Sequence, residues 1–346
     1  MLTIYSGAHL GHQPREIAIR GVIASNLEIP DRVEHLLGAV KAGGHRIKPP
    51  RDFGMEPILA VHDRAYVDFL ERAYERWHKA FAGGRAGPYA CAHASANRHV
   101  ARVPSSIQGQ VGFYLSGGSA PIDAGTFDAA VASAHCALEA AALLDEGVDE
   151  VYALCRPPGH HAYTDMAGGF CYLNNAAIAA EALAGRHGRV AILDFDVHHG
   201  NGTQDIFYDR GDVHFVSVHA DPNNVFPFYV GYEDETGEGE GAGHNLNLPL
   251  PVGSGDAPFL AAIDRGLASI RDFAPEALVV SVGFDAFKGD PSAEMAVTTA
   301  GFREIGRRIS ALGLRTALIQ EGGYLMADLG ANLAAFLEGF LSERHS

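Results

Sequence analysis

Two imidazoles stand next to each other at His160 and His161, in the stretch CRPPGHHAYTDMAGGFCYLNN. The Pro-Pro-Gly run before them is stiff and continues neither a helix nor a sheet ladder. Imidazole titrates near neutral pH, so a rigidly presented pair suits proton transfer. A second constellation lies at Asp196-Val197-His198. In an extended segment, residues two apart point to the same side, so this carboxylate and this imidazole face a common point. Asp285 can add a second carboxylate from another segment. One neutral imidazole and two carboxylates suit a divalent transition metal, zinc especially, and three protein ligands leave a position open. A cation held in this way makes a coordinated water acidic near neutral pH. Tyr324 follows two glycines, whose backbone freedom can bring its hydroxyl over such a centre, to donate to a developing oxyanion.

These residues need elements to bring them together. Strands are expected at 151–155, 189–195, 212–218, 277–283 and 315–320. Helices are expected at 126–145, 174–185, 258–273, 299–312 and 328–342. Near-continuous apolar strands between helices indicate a parallel sheet covered on both faces. Such sheets place sites beyond the carboxyl ends of their strands. His160 and His161 follow the 151–155 strand, and Asp194 to Asn201 follow the 189–195 strand. Asp285 follows 277–283, and Tyr324 follows 315–320. Four strand ends thus deliver the candidate residues to one rim.

The chain has 346 residues, 47% of them hydrophobic and 20% charged, with no internal repeat and no clear linker. That predicts one α/β domain over 1–346, with helices on both faces of a central sheet. The stretch at about 78–122 is rich in Gly, Ala, Ser, His and Arg and weakly periodic. It reads as an insertion serving as a lid or a dimer contact. A net charge of −16 argues against nucleic acid and would steer cationic substrates. No membrane-spanning run and no secretory signal is expected, so the protein is expected in the cytoplasm. Cys91, Cys136, Cys155 and Cys171 form no C-x-x-C pair and suggest reduced, buried thiols.

RPPGHH, GGFCYLNN, DFDVHHGNGTQDIF, SVHADP, SVGFDAFKGDP and EGGY, in that order, resemble the histone deacetylase superfamily. YSGAHLGHQ and VHDRAYVDFL also fit. Within the superfamily the chain most resembles the bacterial acetylpolyamine amidohydrolases. The resemblance implies the arginase–deacetylase fold and a zinc-dependent removal of acetyl groups from small acetylated amines. It implies one zinc ion per chain on Asp196, His198 and Asp285, and a structural potassium ion at Asp194 and Ser217. It makes His160 and His161 the catalytic pair, Asp194 and Asn201 their respective partners, and Tyr324 the group that polarises the scissile carbonyl. His161 is then expected to be the general base and His160 mainly electrostatic, because a carboxylate favours the charged imidazole more than an amide does. Gly169, Phe170 and Phe226 match the walls of a narrow substrate tunnel. Arg32, in IPDR, aligns with a residue of an internal acetate exit. A homodimer built on the insertion is also implied.

Selectivity for polyamines calls for acids near the tunnel mouth. Gln108 and Ser119 stand where acids are expected, which leaves Glu16 from the N-terminal segment. Acetyl-lysine in proteins and a broader range of small amides therefore remain alternative substrates. An arginase-like ureohydrolase with two manganese ions would need further bridging carboxylates and has no evident use for His160, His161 and Tyr324. A ligand-binding protein without turnover would have no need to keep every one of these groups.

Overall fold

The segments Val190–Asp194, Val213–Ala220 and Ala277–Val282 are buried at every position. Only a sheet covered on both faces gives runs of Val, Ile, Leu and Ala that burial. The computed structural model describes residues 1–19, 22–81, 102–292 and 295–342. Its strands in chain order are β1 (Leu2–Ile4), β2 (Glu16–Ile19), β3 (Val22–Ser25), β4 (Arg46–Lys48), β5 (Glu150–Ala153), β6 (Val190–Asp194), β7 (Val213–Ala220), β8 (Asn245–Leu250), β9 (Ala277–Val282) and β10 (Arg315–Gln320). Eight of them form one sheet in the order β4-β1-β5-β10-β9-β6-β7-β8, and every pairing in it is parallel. β2 and β3 form a separate antiparallel pair.

The helices are α1 (Asp31–Ala42), α2 (Glu56–Leu59), α3 (Arg64–Ala80), α4 (Ile107–Tyr114), α5 (Thr126–Asp145), α6 (Asn175–His187), α7 (Asn201–Phe207), α8 (Asp256–Phe273), α9 (Thr299–Ser310) and α10 (Met326–Ser342). Alternate strand residues feed two cores. Val151, Ile192, Val279 and Ile319 pack with residues of α3, α5 and α6, such as Phe69, Ala137 and Ile178. Tyr152, Leu193, Val280 and Leu318 pack on the other face with residues of α1, α8, α9 and α10, such as Leu36, Ile263, Phe302 and Phe336. This is the period-two alternation of a pleated strand. α5 is the one described helix long and apolar enough to cross a membrane by length and composition, although it is interrupted by Asp128, His135 and Glu139. Its most apolar window is 72% buried inside the protein, as a core helix requires.

All five expected strands and all five expected helices are present, with ends shifted by a few residues. β1, β4 and β8 complete the sheet unexpectedly. They are short, or alternate apolar and polar residues, and they lie at or next to the sheet edges. Residues 82–101 of the 78–122 insertion, with Cys91, lie outside the described residues. Its described ends are helical in part: α3 runs to Ala80, and α4 lies within it. Cys136, Cys155 and Cys171 are free and buried.

Candidate active site

The four strands β5, β10, β9 and β6 lie side by side, and the loops leaving their carboxyl ends meet. The loop after β5 carries His160 and His161. Asn174 closes that loop by capping α6, its side chain accepting from the Ala177 amide. His160 Nδ1 lies 2.9 Å from Asp194 Oδ2, and His161 Nδ1 lies 2.6 Å from Asn201 Oδ1. The two rings are 3.9 Å apart, and both are buried. Burial disfavours a charge on His160, but the carboxylates of Asp194 and Asp196 outweigh it and raise the pKa to about 10. Burial, and then the charges of His160 and His198, push His161 well below its ordinary value. One neighbour is held charged and the other neutral.

Asp196, His198 and Asp285 come together beside this pair, their ligand atoms all within 4.8 Å of one another. His198 Nδ1 is 3.2 Å from both Asp196 Oδ1 and Asp285 Oδ2. Both carboxylates are fully buried, and apart from the His198 ring nitrogen no donor stands at Asp285 Oδ2. Burial and the nearby charge of Asp196 raise Asp285 to about 7, while the two carboxylates raise His198 to about 10. A buried carboxylate oxygen with no further donor is costly unless a cation completes it. Gly322 keeps the space around the two carboxylates clear. A Cβ there would lie 2.3 Å from Asp285 Oδ2 and 2.5 Å from Asp196 Oδ2. The donor set and this oxygen fit a divalent cation.

A second group of possible ligands, His160, Cys171 and Glu321, is also buried and close. Its atoms are already engaged. Glu321 Oε2 accepts from the Gly159 and His160 amides at 2.7 and 3.2 Å, and Oε1 accepts from Ser281 Oγ at 3.2 Å. The Cys171 thiol donates to the Gly169 carbonyl, and burial pushes its pKa well above the ordinary thiol range. A satisfied carboxylate and a protonated thiol make a poor metal site.

Tyr324 is 7% exposed, and its ring faces Phe170 at 5.5 Å between centroids. The Arg32 guanidinium stands 4.8 Å from the same ring. Arg32 is buried, donating to the Gly323 carbonyl at 2.8 Å, to the Glu321 carbonyl at 2.7 Å and to Glu28 at 2.9 Å. Arg156 shares Glu28 from the other side at 2.8 Å. The turn that carries Tyr324 is therefore clamped; its two glycines permit close approach rather than movement.

Phe226 packs edge-on against His161, 4.9 Å between centroids. A Cβ on Gly169, which has φ of +52°, would meet the His161 ring at 2.3 Å. The Ser119 Oγ accepts from the Gly169 amide and its carbonyl from the Phe170 amide. Ser119 therefore holds the Gly169–Phe170 backbone in place. Gln108 is exposed on α4, and Glu16 is exposed on β2, whose Ala18 amide bonds the Gly118 carbonyl next to Ser119. Ser217 pairs in register with Asp194, and its hydroxyl lies 2.9 Å from His219 Nδ1. Glu28, Arg156 and Asp290 are also buried about this centre; Arg156 and Asp290 lie inside the RPPGHH and SVGFDAFKGDP stretches, where nothing marks them out from their neighbours, and Glu28 carries no local spacing signal.

The family model described as Histone deacetylase domain matches residues 26–340. The acetylpolyamine amidohydrolase of Burkholderia pseudomallei (strain 1710b) is 47% identical over 343 residues, covering 98% of each chain. Acetylpolyamine amidohydrolase 2 of Pseudomonas aeruginosa is 44% identical over 342 residues, also covering 98% of each. Among solved structures, the acetylpolyamine aminohydrolase from Burkholderia pseudomallei superposes with a TM-score of 0.95 at 46% identity, covering 99% of both chains. With a family model spanning nearly the whole chain and relatives this similar end to end, the chain belongs to the histone deacetylase family.

Proposed function

We propose that this chain is a zinc-dependent amidohydrolase that removes the acetyl group from small N-acetylated amines, acetylated diamines and polyamines above all. The observation that carries the reading is the meeting of two unlike imidazoles with the Asp196, His198 and Asp285 group, whose buried Asp285 Oδ2 has no close partner but the fellow candidate ligand His198. The names of the relatives at 44–47% identity point to the same substrate class. Zinc on those three residues would acidify a water and polarise an amide carbonyl. Asn201 Oδ1, an acceptor, holds the proton of His161 on Nδ1, which leaves Nε2 free to take a proton from the attacking water. The same nitrogen then returns the proton to the departing amine. His160, kept charged by Asp194, stabilises the developing negative charge. Tyr324 donates its hydroxyl to the carbonyl oxygen. Phe170, Phe226 and Gly169 guide the methylene chain, and Glu16 stands ready for a distal ammonium. A potassium ion at Asp194 and Ser217 and a homodimer built on the 78–122 insertion belong to the same reading.

The test is kcat/KM of zinc-loaded protein on acetylputrescine, acetylcadaverine and acetylspermidine, beside an acetyl-lysine peptide and an uncharged acetyl-alkylamine. A preference of tenfold or more for the acetylated diamines and polyamines is expected. A flat profile would replace this reading with a broader small-amide deacetylase, consistent with Ser119 being committed to the tunnel wall. Deleting the 78–122 insertion should turn a dimer into a monomer on a sizing column; an unchanged dimer rejects that assembly.

A further inference from the structure

The loops after β9 and β10 both enter the site, and one carboxylate joins them. Asp290 is 5% exposed and lies at the end of the loop that carries Asp285. Its Oδ2 accepts from the Tyr324 amide at 2.7 Å and from the Leu325 amide at 3.0 Å. Its Oδ1 accepts from the Ser292 amide at 2.9 Å and the Ser292 hydroxyl at 2.7 Å. Four donors thus converge on one buried carboxylate. Hydrogen bonds to a charged acceptor are among the stronger ones available to a backbone amide. Leu325 directly precedes α10, so the two amides also lie at the positive end of that helix, where an anion is favoured.

We infer that Asp290 is a positioning residue for Tyr324, fixing the backbone from which the phenol reaches the substrate carbonyl. The inference rests on the role given to Tyr324 above. Arg32 holds the Glu321 and Gly323 carbonyls on the near side of the turn, and its stacking with Phe170 against the ring leaves the ring free to slide; on the far side, Asp290 holds the Tyr324 and Leu325 amides. The bond at the Tyr324 amide leaves the backbone no such freedom. A rotation of about 10° at the Tyr324 backbone swings its distant hydroxyl by about 1 Å, outside the tolerance of a productive site. Such a displacement costs rate on the order of 10²-fold while leaving the binding of the alkyl chain nearly intact. The hydrogen bonds of Asp290 go to Tyr324, Leu325 and Ser292 and to none of the candidate metal ligands; its charge reaches Asp285 only through space, and the zinc titration below separates that effect.

A double-mutant cycle on zinc-loaded enzyme tests this, using D290A, Y324F and D290A/Y324F with acetylputrescine and a parallel zinc titration. D290A should lower kcat about 10- to 100-fold with KM within about twofold. The double variant should fall within about threefold of Y324F alone, because a misplaced tyrosine and a missing hydroxyl lose the same interaction. Losses that multiply would overturn the inference, as would an unchanged kcat in D290A. A weaker zinc affinity in D290A would also overturn it, by placing the role of Asp290 on Asp285. Wild-type kcat in Y324F would remove the role of the tyrosine, a failure of the underlying reading rather than of this link. D290N keeps one acceptor oxygen and should recover part of the rate lost in D290A. If D290A does not fold, D290N in the same cycle decides by the same criterion of non-additivity.

Discussion

Replacing Gly322 by alanine probes the metal assignment where the structure is tightest. The added Cβ would sit 2.3 Å from Asp285 Oδ2, 2.5 Å from Asp196 Oδ2 and 2.9 Å from Asp285 Cγ. An ordinary van der Waals contact begins near 3.4 Å, so each carboxylate must retreat by about 1 Å. The Gly322 amide, which donates to Asp196 at 2.9 Å, shifts with them. The φ of Gly322 lies outside the left-handed region, so the backbone itself accepts an alanine. Misplacing two ligands by this much should weaken zinc binding about 10- to 100-fold, or about 1.4–2.8 kcal/mol. At saturating zinc, kcat should still fall on the order of 10²-fold. Equilibrium competition with a chromophoric chelator reads the affinity, and turnover of acetylputrescine reads the rate. Gly185, on α6, has nothing within 4 Å of its would-be Cβ and supplies the control. G185A should leave zinc affinity unchanged and stabilise the helix by about 0.5–1 kcal/mol. A G322A protein with native far-UV circular dichroism and wild-type zinc affinity would refute the assignment of Asp196 and Asp285.

Three further outcomes are expected. N201D puts a carboxylate 2.6 Å from His161 Nδ1 and so favours the imidazolium; because the base is the neutral form, the acid limb of the kcat/KM profile should move up by about 1–2 pH units, and an unmoved limb would exclude His161 as the base. Zinc must displace the proton of His198, whose pKa is raised to about 10, and below pH 7 that of Asp285, raised to about 7. The apparent Kd should therefore weaken by approximately 100-fold per pH unit below pH 7; a chelator titration giving less than tenfold per unit would contradict this ligand set. E28A leaves Arg32 and Arg156 buried without their shared carboxylate, which should cost about 3–5 kcal/mol of unfolding free energy in a denaturant titration of the zinc-free protein; a loss below 1 kcal/mol would mean that water compensates both arginines.

The central strands are legible in the sequence because burial on both faces leaves no polar position in runs such as VAIL and ALVV. β8, with NLNLPL, hides because its Asn245 and Asn247 side chains are spent on Gln204 and Glu235. α7 hides for a different reason: Asn201, its first residue, carries a polar side chain that reads as part of the site. His160, His161, Asp196 and His198 stand out because their geometry is local, set by spacings of one or two residues. Asp290 and Glu321 act on amides 34 and more than 160 positions away, which no spacing announces. Ser119 has a role that its place in the chain does not announce. Its place in the chain suggests a mouth residue lacking its acid, whereas its Oγ and carbonyl are used to hold Gly169 and Phe170.

The strands that feed the site are neighbours in space but not in the chain. β10 lies between β5 and β9, pairing Glu150 with Thr316 and Ala277 with Arg315. A chain emerging from the ribosome can therefore pair β6 with β9 and β1 with β5, yet it holds two half-sheets with a missing middle until residue 320 is free. Until then the facing edges of β5 and β9 present unpaired amides and carbonyls, the surface on which chains stick to one another. The last strand to insert also brings Glu321 and Tyr324. Hydrolytic competence and protection from aggregation should thus appear together, late in synthesis, and slow-folding variants should be lost to insoluble material rather than persist as inactive soluble enzyme.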